Sequence, residues 1–407
     1  MLSPREAAAG SYGCPLPDRI ENTGGGPFVG NLSFYHFNII ISGACTGTVL
    51  FLTLGLMGRH ATHMSNPDEQ LKIMRIINMI PSYQILSFVS IGLPNSYIYL
   101  QGFTEVFQGV ALYAFLMLLC DFLAPTDQGK VEFFSSLETK RQWQPKKKRN
   151  GLAFLSLTWW SVVQYPIVTW VAAVAQVLTQ LLHKYCLGST APHFAHVWLT
   201  AATSLSTSVA VNAILQFYMN MKEHMKAHHP MTKLLAFKLA VGLVILEKIL
   251  FLILEGVGVL HASNTLTYVD IMMGLPELII CVQMVPLSFL LLYAYRTKPY
   301  ELLPGEDRPR EYQALGGSDH DHDDDSNDTL IAEGSRGQQR YHGGWMGLHA
   351  WAAYLSPLSL LMAVISGHRL ISRARALHKV QMEQARKAQE WGRYQTRYDP
   401  PTTTEGA

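Results

Sequence analysis

The chain has 407 residues, 49% hydrophobic and only 15% charged, with the apolar residues in blocks, which excludes a run of ordinary soluble domains. The formal net charge of +2 is uninformative by itself, and no nucleic-acid partner is expected. The five cysteines, Cys14, Cys45, Cys120, Cys186 and Cys281, have no CxxC spacing and suggest no zinc or redox framework.

Residues 1–33 read as a lumenal N-terminal segment. They are polar, with Gly24, Gly25 and Gly26 and no apolar signal-peptide core, so insertion is expected to start at the first span. Asn31-Leu32-Ser33 is a glycosylation sequon beside that span. Residues 34–295 read as a bundle of seven membrane-spanning helices. The first, Phe34 to Met57, carries Gly43 and Gly47 in a GxxxG register suited to helix packing. The second, Ile73 to Leu93, is interrupted by Pro81, which predicts a kink. The third runs from Thr104 to Leu123, with Glu105 at one end and Asp121 at the other. Gly151 to Leu182 is long for one crossing, so Leu152 to Trp160 is expected to lie in the interface and Val162 to Leu182 to span. Trp159 and Trp160 suit an aromatic belt. The fifth span, Phe194 to Tyr218, is rich in Ser and Thr.

The sixth span, Thr232 to Leu260, is the most informative. It is long enough to cross a bilayer yet carries Glu247 and Lys248 near its middle and Glu255 two turns on. Each ionisable group at that depth costs roughly 2.5–3.5 kcal/mol, so the three are expected to face the bundle interior on one polar arc. Two readings stay open, a structural ion pair and a polar path for a solute. The seventh span, Val269 to Tyr295, adds Asp270, Glu277 and Gln283.

Orientation follows from the connections. Arg59 and Lys72, then the run from Lys140 to Arg149, then Lys222, Lys226 and Lys233 fall on one side, whereas the opposite connections hold almost no Lys or Arg. The positive-inside rule therefore predicts a lumenal or extracellular N-terminus and a cytosolic C-terminus. Beyond the bundle, residues 296–344 read as a disordered acidic linker around Asp319 to Asp325. Residues 345–395 read as an interfacial amphipathic helix leading to a basic helix on anionic lipid, with a re-entrant hairpin as the rival, and residues 396–407 as a disordered tail. The His/Asp run and the His224, His228 and His229 cluster read as solvated rather than metal-binding. Cys120, at the cytosolic end of the third span, is a candidate for reversible acylation, with a buried apolar cysteine as the alternative. Tyr300 to Leu303 and Tyr312 to Leu315 are Tyr-x-x-Leu motifs that fit a basic ubiquitin-like autophagy modifier or a sorting adaptor.

Met74-Arg75-Ile76-Ile77-Asn78-Met79-Ile80-Pro81-Ser82-Tyr83 resembles the R-I-L-x-M-V-P-I-Y opening of the second span in the organic solute transporter subunit alpha family, which includes the transmembrane protein 184 group. Further pieces follow in the family's order. Glu105 is similar to its Y-E segment, Gln164-Tyr165-Pro166 to Q-Y-x-x-x-R-P, and Phe237-Lys238-Leu239 to F-x-x-x-K-L. Cys281-Val282-Gln283-Met284 is similar to C-I-E-M, and Lys298-Pro299-Tyr300 to Y-K-P-Y. The resemblance covers Phe34 to Tyr300. It implies seven spans, movement of amphipathic organic solutes or a role in vacuolar and other endomembranes or the plasma membrane, and either a single-span partner subunit or a homo-oligomer. No phosphate loop, HExxH or GxSxG is present, so no enzyme, cofactor or metal site is expected. The expected site is a lumen-facing amphipathic cavity between the third, sixth and seventh spans. Glu247, Lys248, Glu255 and Glu277 would bind or gate the solute there, with Glu105, Lys238, Asp270 and Gln283 along its path. The rival reading is a membrane scaffold or receptor whose tail recruits partners.

Overall fold

A computed structural model describes residues 26–141, 144–189, 191–225, 230–257, 263–301 and 341–398. The chain is a bundle of helices: α1 (Phe34–Thr62), α2 (Pro67–Ile77), α3 (Met79–Gly92), α4 (Tyr97–Leu123), α5 (Asp127–Ser136), α6 (Gly151–Leu181), α7 (Ala195–Met221), α8 (Pro230–Gly256), α9 (Leu275–Ala294), α10 (Leu348–Leu355) and α11 (Pro357–Tyr398). A short antiparallel ribbon, β1 (Glu138–Arg141) and β2 (Gln144–Asn150), interrupts them. Among the described residues, five helical stretches are long and apolar enough to cross a membrane: Phe34–Thr62, Pro94–Leu123, Gly151–Leu181, Ala195–Met221 and Asp270–Tyr300.

Local chemistry sets the helix ends. Asn66 caps α2 by accepting from the Glu69 amide, with Pro67 in the first turn. Thr126 does the same for α5 from Gly129, and Asn150 for α6 from Leu152. The second span breaks between α2 and α3 at Asn78. Pro81 lacks the N–H that would close a turn on the Ile77 carbonyl, so the expected kink falls one turn ahead of it.

α4 is the central helix, buried along most of its length against α2, α3 and α6. Its contact with α6 rests on small residues two turns apart. A Cβ at Gly109 would stand 2.9 Å from the Pro166 Cα, and one at Gly102 would stand 3.0 Å from the Ala173 Cα. The GxxxG of α1 does no such work. Gly47 has nothing within 4 Å of its Cβ position, and Gly43 meets only the Phe88 ring at an ordinary 3.5 Å.

α6 departs from expectation. It is one helix of 31 residues, about 46 Å long, continuous through Pro166. Its first turns pack inside the protein, with Leu152, Phe154, Leu155 and Trp159 buried. Phe154 stacks on Phe217 of α7 at 6.0 Å, and the Gly151 amide donates to the Leu137 carbonyl.

The bundle has two distinct ends. At one, the Lys72 and Lys130 ammonium groups converge on Asp121, the latter at 2.9 Å, and His60 bonds the Tyr295 carbonyl. At the other, Tyr35 donates to the Gly92 carbonyl and Gln176 to that of Ile98. The first end is the basic one, and α10 and α11 dock there too. His342 N–H donates to the Met64 carbonyl, Ala350 is buried, and Leu370, Ile371 and Ala374 are buried on α11, which packs on α5 and α6. α10 and the first half of α11 thus pack on the bundle, whereas residues 382–391 of α11 are exposed.

Candidate functional site

The interior of the bundle is more polar than the charged residues alone announce. Along α1, Asn38, Ser42, Thr46, Thr53 and His60 are all buried, at spacings of four and seven that put them on one face. Thr46 and Thr53 satisfy themselves by donating to the carbonyls four residues back, at 2.6 and 2.7 Å. Ser42 donates to Asn38 Oδ1 at 2.9 Å, and Asn38 Nδ2 donates to the Gly274 carbonyl at 2.8 Å. α3 continues the seam. Gln84 holds its amide 2.9 Å from Thr46 Oγ1, and the Tyr83 hydroxyl donates to Gln108 Oε1 of α4 at 2.6 Å. The polar groups named here are matched inside the bundle, as lipid surroundings require, whereas the buried Ser87 hydroxyl of α3 has no hydrogen-bond partner among the described residues.

The carboxylates come in at this seam. Glu247 is buried on α8, where it shares a face with Ala236, Ala240 and Val244, and it accepts from Gln283 Nε2 of α9 at 2.8 Å. Glu277 is buried at the start of α9. Glu105 is half-buried on α4. All three lie within electrostatic range of the buried Tyr83, and Glu247 and Glu277 also reach Tyr97. Of these candidates, Glu247 and Gln283 are in direct contact, and Glu105 and Glu277 share with Glu247 an electrostatic reach to Tyr83.

Asp270 stands elsewhere. It opens a π-helical turn, Asp270–Gly274, and its Oδ2 accepts from the Thr267 amide and hydroxyl at 2.9 and 2.7 Å, which makes it a cap. Such turns free backbone carbonyls, and here the Gly274 carbonyl takes the Asn38 amide. A pocket of about 30 Å³, room for a water or two, lies beside it between Tyr35, Asn38, Ser90 and Met273. Lys238, Lys248 and Glu255 belong to α8, and their side chains lie outside the described residues.

Other candidates are placed by packing. Tyr300 is buried, donates to Glu69 Oε2 at 2.9 Å and meets the His60 ring edge-on, so the first Tyr-x-x-Leu offers no free aromatic anchor. Burial pushes the Glu69 carboxyl above its usual range, and the Tyr300 hydroxyl opposes that shift. Leu303, Tyr312 and Leu315 lie outside the described residues, as do residues 1–25 and the acidic run. Cys120 is buried in α4, which removes the access that acylation needs. Asn31 is exposed in a tight turn with Gly30, whose φ is +60°. Among the described residues, no group of three His, Cys, Asp or Glu side chains is arranged to hold a metal ion.

Two features were missed in the sequence. The α1 stripe was visible as Asn38, Ser42, Thr46 and Thr53 recurring at helical spacing, but uncharged residues in an apolar segment drew no attention. Cys186 is disulfide-bonded, to a partner outside the described residues, whereas Cys45, Cys120 and Cys281 are free. It lies in the α6–α7 connection, at the end away from the basic one.

The fold and its buried polar seam define a multi-pass helical membrane protein. Residues 38–300 match the family described as organic solute transporter Ostalpha, and the chain belongs to that family. Among curated relatives, it is similar to Protein LAZ1 of Arabidopsis thaliana, 24% identical over 284 residues, which are 65% of this chain and 58% of that protein. The chain thus spans well under two thirds of that relative's length. No solved structure matches it.

Proposed function

We propose that the chain crosses the membrane seven times and moves amphipathic organic solutes through the seam between α1, α3, α4, α8 and α9. The observation that carries this reading is the pair of buried carboxylates, Glu247 bonded to Gln283 and Glu277 at the start of α9, inside helices that are otherwise apolar. Buried carboxylates at that depth are costly to keep and mark solute or ion paths. Glu247 accepts from a neutral amide of the next helix, which orients its carboxyl group. The seven spans are α1, the broken α2–α3 pair, α4, α6, α7, α8 and the π turn with α9. Lys248, Glu255 and Lys238 on α8 are assigned to the same path, with Asp270 capping its lumenal mouth.

The basic end is assigned to the cytosol by the positive-inside rule. The Cys186 disulfide supports that assignment, since a disulfide persists in an oxidising compartment and this one sits at the opposite end. The membrane is assigned as vacuolar, endosomal or plasma. A single-span subunit or a second copy has the exposed apolar face of α8, with Leu246, Ile253 and Val257, to bind. The rival function, a scaffold recruiting partners through its tail, draws on the far half of α11, where Met382 and Trp391 are exposed.

Flux decides between them. In proteoliposomes loaded with a labelled amphipathic organic anion, Glu247→Gln and Glu277→Gln are expected to slow flux by about tenfold or more with an unchanged melting temperature. Unchanged flux in both variants overturns the path. A cellular phenotype lost on truncation after residue 340, with flux intact, favours the scaffold.

A further inference from the structure

α11 turns one face to the bundle and the opposite face away from it. On the helix wheel Gly367, Leu370, Ile371 and Ala374 gather on the docked side, and their packing is close. A Cβ at Gly367 would stand 2.5 Å from the Tyr113 hydroxyl and 2.8 Å from Trp159 Nε1. On the opposite arc Leu361 and Met362 are exposed first, followed by exposed Arg369 and Arg373, and then by Lys379 and Lys387. The outward face therefore changes from apolar to cationic within two turns.

That change falls at a level which α6 marks independently. His368 packs against both Trp159 and Trp160, and Trp160 is itself partly exposed, as aromatic residues at a bilayer interface are. Arg375 belongs to the docking contact instead, with its guanidinium over the Trp160 ring and its Nε donating to Ser156 Oγ at 2.8 Å. Further along, Asn150 donates to Gln381 at 3.2 Å. This bond brings the end of β2, whose sequence is Gln-Pro-Lys-Lys-Lys-Arg-Asn, beside the middle of α11. The contacts of His368, Arg375 and Gln381 run antiparallel to α6, so α11 carries its cationic residues from the apolar boundary outward to the basic end. Acidic residues are fewer on this face, and they are engaged: Glu383 pairs with Lys387 at 3.4 Å and Glu390 with Arg386 at 4.0 Å.

We propose that the outward face of α11 around Arg369 and Arg373 is a docking surface for the anionic phospholipid headgroups of the bilayer in which the bundle sits. The occupant follows from position and charge. Leu361 and Met362 meet hydrocarbon, and Arg369 and Arg373 extend at the level where phosphates lie, with Lys379 and Lys387 following on the same face farther from the bilayer. The proposal rests on the bundle being in a membrane and not on solute transport.

The test uses the full chain in nanodiscs, of phosphatidylcholine alone or with a quarter phosphatidylserine, and follows tryptic cleavage after Arg375, a site that every variant keeps, by mass spectrometry. Phosphatidylserine is expected to slow cleavage about fivefold, and half-molar salt to remove the protection. The triple variant Arg369→Glu, Arg373→Glu, Lys379→Glu is expected to lose the protection, and the milder Arg369→Gln, Arg373→Gln pair to lose part of it. Both should keep the parent melting temperature in phosphatidylcholine; if the triple variant does not fold, the Gln pair carries the test. Equal cleavage in the two bilayers overturns the proposal, as does protection that survives charge reversal. Protection by inorganic phosphate in phosphatidylcholine overturns a membrane source for the anion. Protection in phosphatidylcholine that vanishes when Asp319, Asp321, Asp323, Asp324 and Asp325 become Asn overturns it in favour of the chain's own acidic segment.

Discussion

Asp121 is where single residues matter most at the basic end. Its carboxylate holds Lys72 of α2 and the buried Lys130 of α5, so it ties α2 to the junction of α4 and α5. Burial pulls the Lys130 ammonium down, but the adjacent Asp121 carboxylate outweighs it and holds the group above its ordinary value. Removing the carboxylate leaves two ammonium groups facing each other in a largely dry site. Asp121→Asn is expected to cost about 3–5 kcal/mol, read as a fall in melting temperature. Since Lys130 is raised in the folded state, its contribution is fully present below the ordinary lysine value of about 10.4 and is lost as pH rises through the higher folded value. An alkaline titration of melting temperature should therefore separate the parent from Lys130→Met. Cys120 lies one residue before this cluster. Acyl exchange is expected to give the same signal for Cys120→Ser as for the parent, because the thiol is covered.

At the scale of elements, the order of close contacts differs from the order of motifs. Gly109→Leu would push a side chain into the Pro166 backbone and is expected to destabilise by about 1–3 kcal/mol or more. Gly47→Ala meets nothing within 4 Å and is expected to be neutral or to stabilise by about 0.5–1 kcal/mol, since alanine favours the helix. Thermal unfolding of the two variants in one detergent checks both. α6 teaches the same lesson. Its first two turns look like an interfacial helix in sequence, yet the Phe134, Phe154 and Phe217 rings and the docked α11 cover them.

The whole molecule is polarised from end to end. One end carries the ion cluster, the basic ribbon and α11, and the other carries the Cys186 disulfide and the π turn. Cys186→Ser is expected to lower stability by about 2–5 kcal/mol and to abolish the mobility difference between reducing and non-reducing gels. Cysteines introduced at Ser96 and Ser263 should react with an impermeant maleimide from the lumenal or extracellular side alone. Labelling from the cytosolic side would reverse the orientation.

Helix positions were legible because lipid imposes a strong and simple rule. A span must be apolar over about twenty residues, and its charges must sit outside or face inward. The starts of α1, α7 and α8 and the end of α9 therefore fall within a residue or two of the expected boundaries. Glu247, Glu277 and Gln283 were legible for the same reason, as polar groups too costly to face lipid. Their partners were not. Whether Glu247 meets Lys248, a carboxylate or Gln283 depends on the rotation of α8 against α9, which neither helix encodes alone. The α1 stripe, the burial of Cys120 and Tyr300, the Gly109 contact and the docking of α11 likewise arise from how helices far apart in the chain pack together. Hydropathy reports the cost of each residue in lipid, and packing chooses which neighbours offset it.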